Sequence, residues 1–183
     1  MSDTRHPTLD ESALTPEQQS VFDAIREGKR GVVQGPLRVW LQSPKLAERA
    51  EALGAFCRYD TCLPPRVSEL AILVTGAFWA SGFEWAVHAP IALQAGLAEH
   101  IVEDIRCGRT PTFTAADEAA VYCFADELHR NHQVSSSTYA AVVAQYGVEG
   151  AVELVGILGY YTLISMTINA FNVPLPEGEA DPF

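Results

Sequence analysis

Apolar residues recur along most of the chain at the three- and four-residue spacing that is typical of amphipathic helices. The first such helix begins after Thr15, which is placed to be an N-cap, with Pro16 at the first helical position and Gln18 as a capping-box partner. It is predicted to end at Gly28. Residues 31–42 contain two glycines and a proline and predict a loop that leads into a short apolar turn. A second helix is predicted over residues 44–57.

The middle of the chain contains two strongly apolar segments. Residues 66–79 are almost continuously apolar and predict a helix buried on most sides. A buried strand is the competing interpretation, but strands are usually shorter than this segment, so its length favours the helix. A second apolar helix, with Pro90 inside it, is predicted over residues 82–95 and ends at Gly96. A short helix then covers residues 97–107.

The C-terminal part continues the helical pattern. Thr114 to Asp117 is a candidate cap for an amphipathic helix that reaches about residue 132, and another helix starts at Ser135 and ends at Gly147. Residues 148–171 are apolar enough to be considered as a membrane span. A helix in a globular core or a subunit interface is favoured by Glu153 and Asn169 inside this segment, by the internal glycines Gly156 and Gly159, and by the absence of flanking lysine or arginine.

Together these segments predict an all-α fold, a bundle of about seven or eight helices in one domain that spans residues 1–183. The core covers about residues 15–175, and the tails 1–10 and 174–183 are expected to be irregular. A chain of 183 residues with 48% hydrophobic residues and a mean hydropathy of +0.07 can bury a sizeable core without disulfides.

The charge balance excludes some partners. The chain has 12 basic and 23 acidic residues and therefore a net charge of −11. A surface of this charge repels phosphate backbones and anionic lipid. We therefore expect no nucleic-acid partner and no membrane partner. The N-terminal ten residues contain no apolar signal core, so a cytoplasmic location is expected.

The cysteines and histidines show no metal-binding or redox motif. The four cysteines form no Cys-x-x-Cys pair and are expected to be reduced, buried thiols: Cys57, Cys62, Cys107 and Cys123. The step from Cys57 to Cys62 fits packing on either side of a turn better than a redox or metal role. His129 and His132 are expected to lie at an exposed helix end, and no metal or other cofactor is predicted.

Glu84 and His88 are the first candidate pair for chemistry. They lie four residues apart on one predicted helix, so their side chains can share a face and form a hydrogen bond. A carboxylate beside an imidazole fixes its tautomer, which a proton-transfer residue needs. The alternative is a satisfied polar pair in an apolar helix. However, the flanking residues are almost all apolar, and burial of a charge there is costly unless it is used.

Glu69 lies in the preceding apolar helix and faces the same cost of burial. If the two helices pack as a hairpin through residues 80–82, Glu69 and His88 can line one pocket. The alternative for Glu69 is an ion pair with Arg66, three residues earlier.

The segments Pro64-Pro65-Arg66-Val67-Ser68-Glu69-Leu70, Glu84-Trp85-Ala86-Val87-His88 and Ala95-Gly96-Leu97 resemble the carboxymuconolactone decarboxylase superfamily, which includes the alkylhydroperoxidase D-like (AhpD-like) proteins. Supporting matches extend over most of residues 15–175, including Gly159-Tyr160-Tyr161. The peroxidase branch carries Cys-x-x-Cys-x-x-x-His with a glutamate nineteen residues before the histidine. Glu69 and His88 keep that spacing, but the cysteine positions are Ser81 and Glu84, so neither thiol of a disulfide cycle is present.

The decarboxylase branch has Glu-x-x-x-His at this place and no cysteines, and the resemblance therefore implies a cofactor-free lyase or isomerase. The expected substrate is a small carboxylated lactone or another intermediate of aromatic compound breakdown. Loss of carbon dioxide requires a cation for the carboxylate and an acid that delivers a proton. In the implied roles His88 donates the proton and Glu84 orients the His88 ring. Glu69 is a base or the second member of a proton relay. Four residues are expected to bind substrate: Arg66, Ser81, Phe83 and Trp85.

Two other functions stay open at this point. The chain could be a non-catalytic member that binds a small acid, or a peroxidase-related protein that uses cysteines outside the motif. The resemblance also implies a closed homo-oligomer, a trimer or hexamer, and the apolar segment 148–171 suits a subunit interface.

Overall fold

The computed structural model describes residues 4–5 and 9–183. Most of the predicted N-terminal tail therefore lies outside the described residues. Within them the fold is all-helical, as predicted, with a 3-10 turn at Glu11–Ala13 followed by eight α-helices. The helices are α1 (Pro16–Glu27), α2 (Pro36–Trp40), α3 (Pro44–Tyr59), α4 (Pro65–Phe78), α5 (Gly82–Gln94), α6 (Glu99–Arg106), α7 (Ala116–Asn131) and α8 (Ser136–Phe171).

The helix ends show which local signals the chain follows. Both bonds of the predicted capping box are present at the start of α1: the Gln18 amide nitrogen donates to the Thr15 hydroxyl over 3.2 Å, and the Thr15 amide nitrogen donates to the Gln18 side chain over 3.0 Å. The predicted cap of α7 is wrong. Ala115 is its N-cap, without a side-chain bond. The Asp117 carboxylate accepts from the Glu118 amide nitrogen over 2.8 Å and from Arg66 over 2.6 Å.

Helix α4 is the centre of the bundle and packs against α5, α6, α7 and α8. Every residue from 67 to 76 is buried, and Val67, Leu70 and Ala71 are completely so. The prediction of a helix buried on most sides is confirmed. Any polar side chain on α4 consequently has to find its partner within the protein interior.

Helix α8 is the longest and most apolar element. Its backbone leaves helical angles at Gly147, with φ 69° and ψ −178°, so the predicted helix end there is a real interruption, after which the helix resumes. Its most apolar 18 residues have a mean hydropathy of 1.5, which by length and composition alone would suit a membrane span, yet 56% of them are buried within the protein. This burial fits a core helix. The exposed residues form an apolar stripe at helical spacing: Val148, Val152, Val155, Leu163 and Met166.

Residues 174–183 contain no helix and run beside the start of α5. The backbone carbonyl of Pro182 accepts a hydrogen bond from Arg106 over 2.8 Å, and the Phe183 ring meets the Trp85 ring edge-on at 5.4 Å. A side chain at Gly82 would touch Leu175 and Pro182. The tail therefore covers the outer side of α5.

Candidate active site

The hairpin between α4 and α5 brings Glu69 and His88 together. Helix α4 ends in a tight turn in which Ala80 has a positive φ of 45° and the Ser81 amide donates to the Gly76 carbonyl over 2.8 Å. The two helices then run side by side, and His88 Nδ1 lies 2.7 Å from Glu69 Oε2, at hydrogen-bond distance. The Glu69 carboxylate therefore holds one nitrogen of the imidazole and fixes its ring orientation.

The other nitrogen of His88 faces Glu84. His88 Nε2 lies 3.4 Å from Glu84 Oε2, close enough for an ion pair, but the two atoms are not aligned as a hydrogen bond and Glu84 Oε2 has no hydrogen-bond partner among the described residues. His88 is 2% exposed, and the two glutamates are each 5% exposed. Three ionisable side chains thus form a line through the interior, and the terminal carboxyl oxygen is unsatisfied. Such an atom is expected to have a ligand or a water as its partner.

Burial raises the pKa of Glu84, and this effect exceeds the opposing influence of His88 and of Arg58 and Arg30. A carboxyl group with a raised pKa keeps its proton to higher pH and can act as a proton donor.

A cavity of about 110 Å³ opens beside this line of residues. Its apolar wall is made by Val32, Pro36, Leu37, Phe83, Val87 and Ile164, and its polar wall by Arg30, Gln34, Arg58, Tyr59, Glu84, His88, Tyr160 and Tyr161. Val32, Gln34 and Tyr59 are exposed and mark the solvent side, whereas Glu84 and His88 lie at the buried end. The cavity therefore joins solvent to the acid-base residues.

Two tyrosines of α8 form the back of the cavity. The Tyr161 ring meets the His88 ring edge-on at 5.1 Å, and Tyr160 meets Tyr161 in the same way at 5.3 Å. The Tyr161 hydroxyl is buried without a hydrogen-bond partner among the described residues. Burial raises the pKa of Tyr161 well above its usual value, so this hydroxyl stays protonated and is available as a donor.

The two arginines of the cavity differ in their partners. Arg30 is nearly buried, and its Nε donates to Glu51 over 2.7 Å while its Nη2 donates to the Tyr160 hydroxyl over 3.0 Å. Arg58 has no carboxylate partner within the described part of the chain, and its guanidinium lies over the Tyr59 ring at 5.4 Å. The charge of Arg30 is compensated within the protein, whereas that of Arg58 is not.

The four residues expected to bind substrate are placed differently from one another. Phe83 lines the cavity. Trp85 points to the other side of α5 and packs on Phe183. Ser81 is completely buried at the turn, outside the cavity, and its hydroxyl has no hydrogen-bond partner among the described residues.

Arg66 also lies outside the cavity, contrary to the expectation from sequence. Its guanidinium donates to Asp117 over 2.6 Å and to Glu118, both in the first turn of α7. The alternative ion pair with Glu69 does not form either, because the Glu69 carboxylate bonds to His88. With two acids already bound, Arg66 has no charge left for a substrate.

Sequence reasoning missed the cations and tyrosines of the cavity: Arg30, Arg58, Tyr160 and Tyr161. The adjacent tyrosines inside an otherwise apolar segment were a usable signal, because a buried tyrosine hydroxyl usually needs a polar partner. The two arginines carried no such signal, since an isolated arginine at a helix end is usually solvated.

His129 differs from the expectation of an exposed helix end. It is partly buried, its Nε2 lies 2.9 Å from the Thr75 hydroxyl, and its ring stacks on Phe78 at 4.9 Å. His132 ends α7 in the left-handed conformation. No cluster of metal-ligating side chains occurs among the described residues.

The four cysteines do not take part in the site. The expectation of buried thiols holds for Cys57 but is wrong for Cys62, Cys107 and Cys123, which are exposed. No cysteine lines the cavity in the described part of the protein. Burial raises the pKa of the Cys57 thiol to about 11 and that of Cys123 above its usual value, so both are poor thiolate nucleophiles.

No family model matches the sequence, and the comparison with curated proteins gives no match either. Solved structures do share the fold. A peroxidase-related protein from Silicibacter sp. TM1040 is similar with a TM-score of 0.76 at 14% identity, over 97% of this chain and 94% of the other. A protein of unknown function from Agrobacterium tumefaciens, described as an antioxidant defence protein of the AhpD type, is similar with a TM-score of 0.66 at 14% identity, over 78% and 99%.

The debrominase Bmp8 has the same fold. Its complex with 2,3,4-tribromopyrrole, in which a cysteine is replaced by alanine, is similar to this chain with a TM-score of 0.74 at 16% identity, over 98% of this chain and 96% of the other. The chain therefore has the AhpD-like fold, as expected from its sequence. At these identities the likeness concerns the fold alone.

Proposed function

We propose that this protein is a carboxymuconolactone decarboxylase-like enzyme, an acid-base lyase or isomerase that acts on a small carboxylated lactone or a related ring-cleavage product. The observation that carries the proposal is the buried line Glu69–His88–Glu84, which ends at a cavity that contains an uncompensated arginine and no thiol among its described lining residues. Proton transfer and anion binding are the two requirements of this chemistry.

The geometry favours a different division of roles from the one implied by the sequence. Both nitrogens of His88 face carboxyl groups, so Glu84, which lines the cavity, is the group placed to give a proton to the substrate. In a decarboxylation the bond between the ring carbon and the carboxylate breaks, carbon dioxide leaves, and the electron pair moves into the conjugated system. Glu84 gives its proton to the resulting carbanion and becomes a carboxylate. His88 then takes up a proton from solvent in the cavity, as an imidazolium that Glu69 stabilises, and passes this proton to Glu84.

The fold neighbours support a small ring as ligand. The debrominase structure holds a halogenated pyrrole, a five-membered ring, in a protein with this fold. A cavity of about 110 Å³ is smaller than the 150 Å³ cavity that accepts benzene in an engineered protein, so a ring of similar size to pyrrole suits it.

The thiol alternative has less support. A cysteine that attacks a peroxide needs a lowered pKa and access to the proton relay, and the cavity offers neither among its described residues. A non-catalytic protein that binds a small acid has the same cavity requirements as the enzyme. Turnover therefore has to distinguish these two.

The test is a decarboxylation and isomerisation assay with carboxymuconolactone and other carboxylated five-membered lactones, followed by carbon dioxide release and ultraviolet absorbance. Glu84→Gln and His88→Gln should each lower kcat by about 10²–10⁴-fold, as expected on removal of a general acid. His100→Gln is the matched control, because His100 is exposed and bonds only to the carbonyl of Thr112.

A variant with all four cysteines replaced by serine should keep its turnover. Loss of activity in that variant would favour the thiol alternative. If no lactone turns over but small acids bind, the protein is a binding protein and the proposal of catalysis is wrong.

A further inference from the structure

Arg58 gives the cavity wall a positive charge that no carboxylate of the described residues compensates. Arg58 lies in the last turn of α3 and lines the cavity near its exposed rim. Its guanidinium lies over the face of the neighbouring Tyr59 ring, at 5.4 Å from the ring centroid. No carboxylate within the described residues pairs with it, although the chain as a whole has an excess of acids.

Arg30 shows what a structural arginine looks like in the same cavity. Its side chain is 8% exposed and its donors are bound to Glu51 and to the Tyr160 hydroxyl. A buried guanidinium without such partners would be costly, and Arg30 has them. Arg58 lines the cavity without such a partner among the described residues, so the donors of its planar guanidinium are available to a ligand.

We propose that Arg58 is the specificity-determining residue of the site, and that it binds the carboxylate of a small five-membered ring acid. This inference rests on the proposed function and names the residue that recognises the carboxylate of its substrate class. Arg58 and Glu84 line the same cavity. A ligand whose carboxylate binds Arg58 therefore has Glu84 within the same cavity as its proton donor.

The test uses furan-2-carboxylate as probe, with furan-2-carboxamide as its uncharged analogue. Binding is measured by isothermal titration calorimetry on the full chain. We expect the monocarboxylate to bind the unmodified protein at least 10-fold more tightly than the carboxamide. Equal affinity for the two, or no binding of the monocarboxylate, would overturn the proposal.

Arg58→Met should weaken binding of the monocarboxylate by about 10–100-fold, as expected for loss of a charge-assisted hydrogen bond, and leave carboxamide binding unchanged. Arg58→Lys should recover part of the affinity. Arg49→Met is the matched control, because Arg49 lies on the same helix and is exposed outside the cavity. An equal loss for the carboxamide would show a collapsed cavity instead of a lost charge, and would also overturn the assignment.

The two proposals fail in different ways. If turnover depends on Glu84 but Arg58→Met leaves KM unchanged, the proposed enzyme activity stands and the role of Arg58 is wrong. If the monocarboxylate binds through Arg58 but no lactone turns over, the role of Arg58 stands and the proposed enzyme activity is wrong.

Discussion

Gly54, in the middle of α3, provides a direct test of how the cavity wall is packed. A methyl group at this position would lie 2.1 Å from the Tyr160 hydroxyl oxygen and 2.4 Å from Arg30 Nη2. Tyr160 is 2% exposed and is held by the Trp40 ring at 6.1 Å and the Tyr161 ring at 5.3 Å. It cannot move away without disturbing its neighbours, so Gly54→Ala forces Arg30 and Tyr160 apart.

Two opposing contributions set the size of the effect. Alanine is favoured over glycine inside a helix by about 1 kcal/mol. Overpacking a close-packed site costs about 1–3 kcal/mol, and loss of the hydrogen bond from Arg30 to Tyr160 adds about 1–2 kcal/mol. We expect a net destabilisation of roughly 2 kcal/mol, which for a domain of this size corresponds to a fall in Tm of about 4–8 °C.

The assay is thermal and urea unfolding of Gly54→Ala beside Gly156→Ala. Gly156 also lies inside a helix, and a methyl group there would meet only Cys57 Sγ at 3.8 Å, an ordinary contact. That control should gain about 1 kcal/mol from helix propensity. If both variants are stabilised to the same extent, Gly54 is not in contact with the Arg30–Tyr160 pair and the description of the cavity wall is wrong.

Three further predictions follow from the same structure. Because the pKa of Glu84 is raised above its ordinary value of 4.5, the folded chain binds the Glu84 proton more tightly than the unfolded chain does. The free energy of unfolding should therefore fall as the pH rises from about 4.5 through the folded-state pKa of Glu84. Urea unfolding of Glu84→Gln should show that fall reduced, and parallel profiles for the two proteins would contradict the assignment. Glu51→Ala should lower the free energy of unfolding by roughly 3 kcal/mol, because it leaves Arg30 buried with an unpaired charge, and Glu51→Gln should lower it less. Equal losses for the two variants in chemical denaturation would show that the charge pair does not stabilise the fold. Light scattering should show that the protein is a homo-oligomer, a trimer or hexamer. Val152→Asp should dissociate it, because Val152 is 66% exposed in the apolar stripe of α8. A mass of 19.9 kDa for the unmodified protein would exclude a homo-oligomer.

The sequence by itself determined the elements. The capping box at Thr15 and Gln18, the continuous apolar run of α4 and the interruption at Gly147 were all readable, because each depends on residues within about four positions of one another. The nineteen-residue spacing of Glu69 and His88 was readable as well. It became a contact because only a short turn separates the two helices.

The tertiary structure alone decided which charges reach the cavity. Arg66 was the expected anion-binding residue, yet two acids at the start of α7, about fifty positions away along the chain, pair with it. Arg30 enters the cavity through a bond to Tyr160, 130 positions distant. Whether a cation is free or compensated depends on side chains that no local pattern relates to it, since electrostatic pairing follows distance in space and not along the chain. For this reason the acid-base residues could be predicted from the sequence, whereas the candidate anion site at Arg58 could not.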